Sequence, residues 1–180
     1  SLPWVKDTLY FLSVMEKLTI SDFINMSGRT ILVTGGAGHL GSEFACALAE
    51  LGANIILLDN NLPKLAAICS DLTSLYGVNV DILECDLESS SDVKNISTFI
   101  DQKYGRLDVL INNAAFAGTA NLPGWSTAFE NQSVDTWKRA LEVNLTSVFS
   151  LTQSCQQLLL RSNSASVINI ASIYGFLGPD

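Results

Sequence analysis

Gly36, Gly38 and Gly41 stand in G-x-G-x-x-G spacing directly after an apolar run over residues 30–33. That combination suits one kind of chemistry, the holding of a pyrophosphate against main-chain N–H groups. Each position asks for glycine for its own reason. The first is expected to supply a turn with positive φ, the second to let the anion reach the backbone, and the third to let the following helix pack close to the strand. The helix that opens there would aim its unpaired N–H groups and the positive end of its dipole at the phosphates, so no cationic side chain is needed. Asp59 closes a second apolar run, residues 54–58, about 20 residues downstream, where a carboxylate can take hydrogen bonds from an adenosine ribose.

A carboxylate at that place also discriminates between cofactors. A 2′-phosphate about 4 Å away would meet repulsion of about 4 kcal/mol per charge pair at an effective dielectric near 20. Even a third of that is about tenfold in affinity, so the sequence predicts NAD in preference to NADP.

The elements that position these groups follow from periodicity. Residues 30–33, 54–58, 78–85, 107–111 and 166–171 read as strands, apolar through their length, and helical patterns lie between them. The first helix shows Leu40, Phe44, Leu48 and Leu51 at helical spacing. The second is capped by Asn60 or Asn61, holds Pro63 in its first turn, carries Leu65, Ile68, Leu72 and Leu75 as its stripe, and stops at Gly77. The third starts at residues 89–91, runs through Val93, Ile96 and Ile100, and stops after Tyr104 at Gly105. Residues 134–161 are mostly helical with a break near Asn144, and residues 116–132, rich in Gly, Pro, Asn and Ser, form a loop over the strand ends where substrate contacts belong. Strands alternating with helices in this way predict a doubly wound parallel sheet, a three-layer α/β Rossmann domain over residues 26–180 with strand order 3-2-1-4-5. Residues 1–25 form an amino-terminal extension, with Trp4, Val5, Leu9, Leu12, Met15 and Leu18 at the spacing of a short amphipathic helix.

Composition narrows the classes. The chain has 180 residues, is 48% hydrophobic and carries a formal net charge of −8, which fits one domain with a sizeable core. An acidic surface repels nucleic-acid phosphates and anionic lipid, so neither is an expected partner. No apolar run approaches the ~18 residues of a membrane helix. Residues 8–15 could imitate a signal-peptide core, but Asp7 precedes them and no small-residue cleavage site follows, so no signal peptide is expected there. Cys46, Cys69, Cys85 and Cys155 are scattered, without metal-ligand spacing, and read as reduced packing residues of a cytoplasmic protein. The single histidine, His39, reads as an exposed neighbour of the phosphates or a plain helix-start residue. Trp125, Phe129 and Trp137 read as packing residues, with cover over a substrate mouth as the alternative.

Six motifs in one order carry a resemblance. They are Thr34-Gly-Gly-Ala-Gly-His-Leu-Gly41, Asp59, Cys85-Asp86-Leu87, Asn112-Asn113-Ala114-Ala115, Val143-Asn144-Leu145 and Asn169-Ile170-Ala171-Ser172. Over about residues 28–172 the chain resembles the amino-terminal part of a short-chain dehydrogenase/reductase. The resemblance implies that Thr34 and the turn through Gly36, Gly38, His39, Leu40 and Gly41 bind the cofactor, and that Asp59 meets the adenosine ribose. It places Asp86 and Leu87 at the adenine, and Asn112 and Ala114 at the nicotinamide-side ribose. Ser172 would hold the substrate oxygen and Asn144 would anchor a water of the proton relay, the two catalytic supports. The activity implied is NAD(P)-dependent hydride transfer with a small alcohol or carbonyl compound. A sugar derivative is favoured by Ser172-Ile-Tyr-Gly with Pro179-Asp180. A homo-oligomer through the long helices is implied as well.

Two departures qualify the resemblance. His39 stands where much of the family has glycine, giving the T-G-x-x-G-x-x-G spacing common among nucleotide-sugar epimerases and dehydratases, whereas Asn112-Asn113-Ala-Ala is similar to the N-N-A-G of single-domain reductases. The family's acid/base is a tyrosine with a lysine four residues on, beyond the serine. Tyr174 has Gly178 at that place, and Tyr10, Tyr76 and Tyr104 also lack the lysine. A phenol with a reference pKa near 10 gives up its proton well at neutral pH only beside a cation. The sequence as it stands therefore belongs either to a longer enzyme, truncated after the fifth strand, or to a dinucleotide-binding module without turnover.

Overall fold

The structure, a computed structural model, describes residues 24–116, 122–125 and 127–172. The expected amino-terminal helix and Tyr174 lie outside these residues. In order, the chain forms β1 (Thr30–Thr34), α1 (His39–Glu50), β2 (Asn54–Asp59), α2 (Leu62–Tyr76), β3 (Val80–Glu84), α3 (Ser90–Tyr104) and β4 (Val109–Asn112). A short 3-10 turn (Phe129–Asn131), α4 (Val134–Leu141), a π-helical segment (Glu142–Thr146), α5 (Ser147–Leu160) and β5 (Ser166–Asn169) follow. All strand pairs are parallel and the sheet order is β3-β2-β1-β4-β5, the doubly wound arrangement that the alternating pattern predicts.

Successive strand residues face opposite layers, which is why the strands are apolar at every position. Leu32, Ile56, Leu58 and Leu110 pack under α3 and α5 with Val93, Ile96, Ile100, Leu151 and Leu158. Ile31, Val33, Ile55, Leu57, Val109 and Ile111 pack under α1 and α2 with Ala45, Ala49, Leu65 and Leu72. The caps are those the sequence names. Asn61 accepts the Lys64 N–H at 3.2 Å and Gly77 closes α2 with φ 67°, while Ser89 accepts the Asp92 N–H and Gly105 closes α3 with φ 70°.

Two helix faces differ from the periodic reading. The buried line of α1 is Gly41, Ala45 and Ala49, not the leucines, and Leu40 is 55% exposed. Small residues let α1 settle close on β1, and that approach turns the large side chains to the flanks. On α2, Leu65 and Leu72 are buried but Leu75 is exposed. At the far edge, all of β5 is exposed among the described residues, Val167 and Ile168 included, as is Ile170 just beyond it.

Asp108 ties the amino end of the sheet. The residue is 4% exposed, and its carboxylate accepts the Thr30 N–H at 2.8 Å, the Ser162 hydroxyl at 2.6 Å and Arg106 Nε at 3.1 Å. All four cysteines are free thiols. Burial pushes the Cys85 thiol up to about 12, helped by the charges of Asp92 and Asp86, and burial pushes Cys155 up to about 11, so both remain protonated packing groups.

Candidate dinucleotide-binding site

The site grows from the end of β1. Positive φ falls at Gly35 (66°), one residue before Gly36 where the spacing placed it. Gly36 is needed for packing instead, since a Cβ there would meet Leu57 of β2 at 2.9 Å. A Cβ on Gly41 would lie 2.1 Å from the Gly35 carbonyl oxygen, so α1 can begin flush on the turn only with glycine at that place. Gly38 is the N-cap of α1 in extended conformation and no side chain caps it. The first-turn N–H groups of such a helix have no intrahelical acceptor, and they make an anion seat with the dipole behind them. His39 and Leu40 are exposed at this entrance.

Asp59 reaches the same turn. Its Oδ2 accepts the Ala37 N–H at 3.0 Å and its Oδ1 accepts the Asn61 N–H at 3.0 Å. The glycine cluster and the downstream acid, separate in sequence, are therefore one surface. After β3, Asp86 lies exposed in a turn where its Oδ1 accepts the Glu88 N–H at 2.9 Å, and Leu87 packs its side chain partly on the core.

On the other side of β1, the buried Thr34 hydroxyl accepts the N–H groups of Asn113 and Ala114, both at 2.9 Å. Asn113 returns the contact, donating its amide to the Thr34 carbonyl at 3.0 Å. Asn113 has no role in the sequence reading, although strand parity separates it from Asn112: side chains alternate between the two faces of the sheet, so Asn113 leaves on the face opposite to Asn112. Asn112 itself is tied into the sheet. It is 4% exposed, its amide donates to Asn169 Oδ1 at 2.8 Å and Thr152 Oγ1 at 3.4 Å, and its carbonyl accepts the Ile170 N–H. These bonds fasten β4 to β5 and α5.

The break expected near Asn144 is the π-helical segment. Such widened turns commonly sit at functional sites. The Asn144 Oδ1 accepts the Phe116 N–H at 2.7 Å and its Nδ2 donates to the Phe116 carbonyl at 3.5 Å. That amide holds the chain just beyond Asn113-Ala114-Ala115. Ser172 is exposed beyond β5 at the same, carboxyl end of the sheet. The packing expectation holds for Trp125, whose ring meets Phe116 edge-on at 5.2 Å, whereas Phe129 and Trp137 are exposed.

An uncapped helix amino end at the β1–α1 turn, a carboxylate on β2 bonded to that turn and polar groups at the ends of β4 and β5 form the arrangement of a nucleotide-binding Rossmann domain. Its crevice opens where the strand order reverses between β1 and β4. The short chain dehydrogenase family model matches residues 29–179, and the chain belongs to that family. A rhamnolipids-biosynthesis 3-oxoacyl-[acyl-carrier-protein] reductase of Pseudomonas aeruginosa is 34% identical over 157 residues, which cover 85% of this chain and 58% of the reductase. Among solved structures, the Pseudomonas aeruginosa RhlG/NADP active-site complex matches with a TM-score of 0.76 and 32% identity, over 87% of this chain and 59% of that one. An NAD+-bound xylitol dehydrogenase matches with a TM-score of 0.76 and 28% identity, over 86% and 56%. The chain thus spans less than two thirds of the length of these relatives, and both forms of the cofactor occur among them.

Proposed function

We propose that the protein is an NAD-dependent oxidoreductase acting on a small alcohol/carbonyl pair, with a sugar derivative as the favoured substrate class. The observation that carries this is the Asp59–Ala37 hydrogen bond, which holds a carboxylate on the glycine turn beside the α1 amino end. The main chain of Gly36–Gly41 would seat the pyrophosphate, Asp59 the adenosine ribose, and the Asp86-Leu87 turn the adenine. Asn113, through Thr34, would hold the Ala114 end of the crevice at the nicotinamide side. The bound cofactor would supply or accept the hydride.

Ser172 would hydrogen-bond the substrate oxygen while charge develops on it, and Asn144 would keep the Phe116 chain in place beside it. Neither Tyr76 nor Tyr104 is suited to give the proton. Both sit at the carboxyl ends of their helices, away from the crevice. Tyr104 donates to Asp81 at 2.6 Å, and burial followed by that bond pushes its hydroxyl well above the ordinary phenol range.

Titrating the full-length protein with NAD and NADP by calorimetry, then following nicotinamide absorbance with polyols and keto sugars, tests the reading. Tight NAD binding with turnover is expected. NAD binding without turnover on any alcohol or ketone would favour the non-catalytic module, and conversion of a nucleotide sugar without net reduction would favour the epimerase class that the His39 spacing resembles. Reduced thiols and an acidic surface support a cytoplasmic setting.

Self-association is the expected state. Val134, Trp137, Leu141, Leu145 and Phe149 are exposed at intervals of three and four along α4, the π segment and α5, a continuous apolar face. Phe149→Glu is expected to move the protein to a smaller species in sedimentation velocity at micromolar concentration. An unchanged sedimentation coefficient would remove this face as the interface.

A further inference from the structure

Arg139 touches two segments far apart in sequence at once, the turn after β3 and the chain beyond β4. From α4 it grips the Glu88 carboxylate with two nitrogens, Nε to Oε2 at 2.9 Å and Nη2 to Oε1 at 2.8 Å. The Cζ of the same guanidinium lies over the Phe116 ring, 5.3 Å from its centroid. Glu88 is the residue after Asp86-Leu87, and its N–H is bonded to Asp86. Phe116 lies two residues beyond Ala114, with its main chain held by Asn144 and its ring edge-on to Trp125. The guanidinium hydrogen bond holds the Glu88 carboxyl below the usual carboxylate range, so the pair stays ionised at neutral pH. A guanidinium can serve a carboxylate at its edge and an aromatic ring on its face together, which an ammonium cannot do with the same directionality.

We propose that Arg139 is a positioning residue that couples the adenine side of the crevice to the nicotinamide side. The proposal rests on the dinucleotide reading of the site. A ligand that orders the Asp86–Ser89 turn fixes Glu88, Glu88 fixes the plane of the guanidinium, and that plane fixes Phe116 and the main chain leading to it. The second half of the dinucleotide then meets a segment already ordered, which is positive coupling without a large displacement.

Hydrogen exchange of the full-length protein tests this with AMP as a probe of the adenine half alone. In the wild type, AMP is expected to slow exchange both at residues 86–89 and at residues 113–116. Arg139→Met should keep the AMP effect at 86–89, lose it at 113–116, and bind NAD about tenfold more weakly while AMP affinity changes less than about twofold. Phe116→Leu, which leaves the Arg139–Glu88 pair intact, should lose the distant effect in the same way, and Phe116→Tyr should keep it. A merely structural ion pair would give none of this pattern. If the wild type binds NAD but residues 113–116 ignore AMP at every concentration, or if the effect survives in both Arg139→Met and Phe116→Leu, the coupling is wrong. A wild type that binds neither AMP nor NAD would overturn the dinucleotide reading instead.

Discussion

Asp59→Arg is expected to turn a preference for NAD into a preference for NADP, with the ratio of the two dissociation constants moving about a hundredfold. Removing the carboxylate abolishes repulsion worth about tenfold against a 2′-phosphate, and a guanidinium at the same place adds attraction of the same order. NAD should also bind more weakly, because the variant would lose the charged hydrogen bonds proposed to the ribose, worth about 1.5–3 kcal/mol each. Asp59 has a second job, accepting the N–H groups of Ala37 and Asn61, so arginine disturbs the turn as well as the charge. Asp59→Asn separates the two effects: its amide oxygen still accepts one of these N–H groups, but no charge remains, and the two cofactors should bind within a few-fold of each other. Calorimetric titration at low and high salt measures all three proteins, and the wild-type preference should shrink as salt rises. A wild-type ratio that survives both substitutions would show that the 2′ position is nowhere near this carboxylate.

The site is legible in the sequence wherever one residue type answers one local demand. Asn61 and Gly77 bracket α2, and Ser89 and Gly105 bracket α3, because caps act within a turn of the residue that makes them. The pairing of the glycine cluster with Asp59 is legible for a topological reason, since parallel neighbours β1 and β2 bring their carboxyl ends level. What was misread depends on close approach. Gly35 and Gly36 are adjacent and of the same type, and only the contact with Leu57 and the φ at Gly35 tell which one turns and which one packs. Leu40 fits a helical stripe, but the Gly35 carbonyl under Gly41 requires the small face of α1 to point inward. Asn112 and Asn113 are adjacent and identical, so parity alone separates the strut from the residue that holds the turn. Glu88 and Arg139 lie 51 residues apart, and nothing local distinguishes either from an ordinary solvated charge.

At the opposite end of the sheet, Asp108→Ala is expected to cost about 1–3 kcal/mol in urea denaturation, the range for leaving a buried donor without its acceptor. The side chain receives hydrogen bonds from Thr30, Ser162 and Arg106, and its own main chain bonds to Thr30 and Ser166. One truncation therefore leaves the Thr30 N–H unpaired in the interior and removes the side-chain tie between the starts of β1 and β4 and the turn before β5, while the main-chain ladders remain. The same network sets an acid limit. Burial pushes the Asp108 carboxyl up, but the hydrogen bonds from Ser162, Thr30 and Arg106 together outweigh it and hold the group below the ordinary carboxylate range. A pKa lower in the folded chain than in the unfolded one means that the unfolded chain binds more protons, so stability rises with pH through that interval. The contribution is complete above the unfolded value of about 3.9 and is lost as pH falls toward the lower folded value. Asp108→Asn removes this one titration while leaving every other carboxylate in place, the Arg139-held Glu88 included. Its unfolding free energy should fall less steeply than that of the wild type below about pH 4, and the difference between the two curves isolates Asp108. Parallel acid limbs would mean that the buried carboxylate gains nothing from its three donors, and that the amino end of the sheet is held by its main-chain bonds alone.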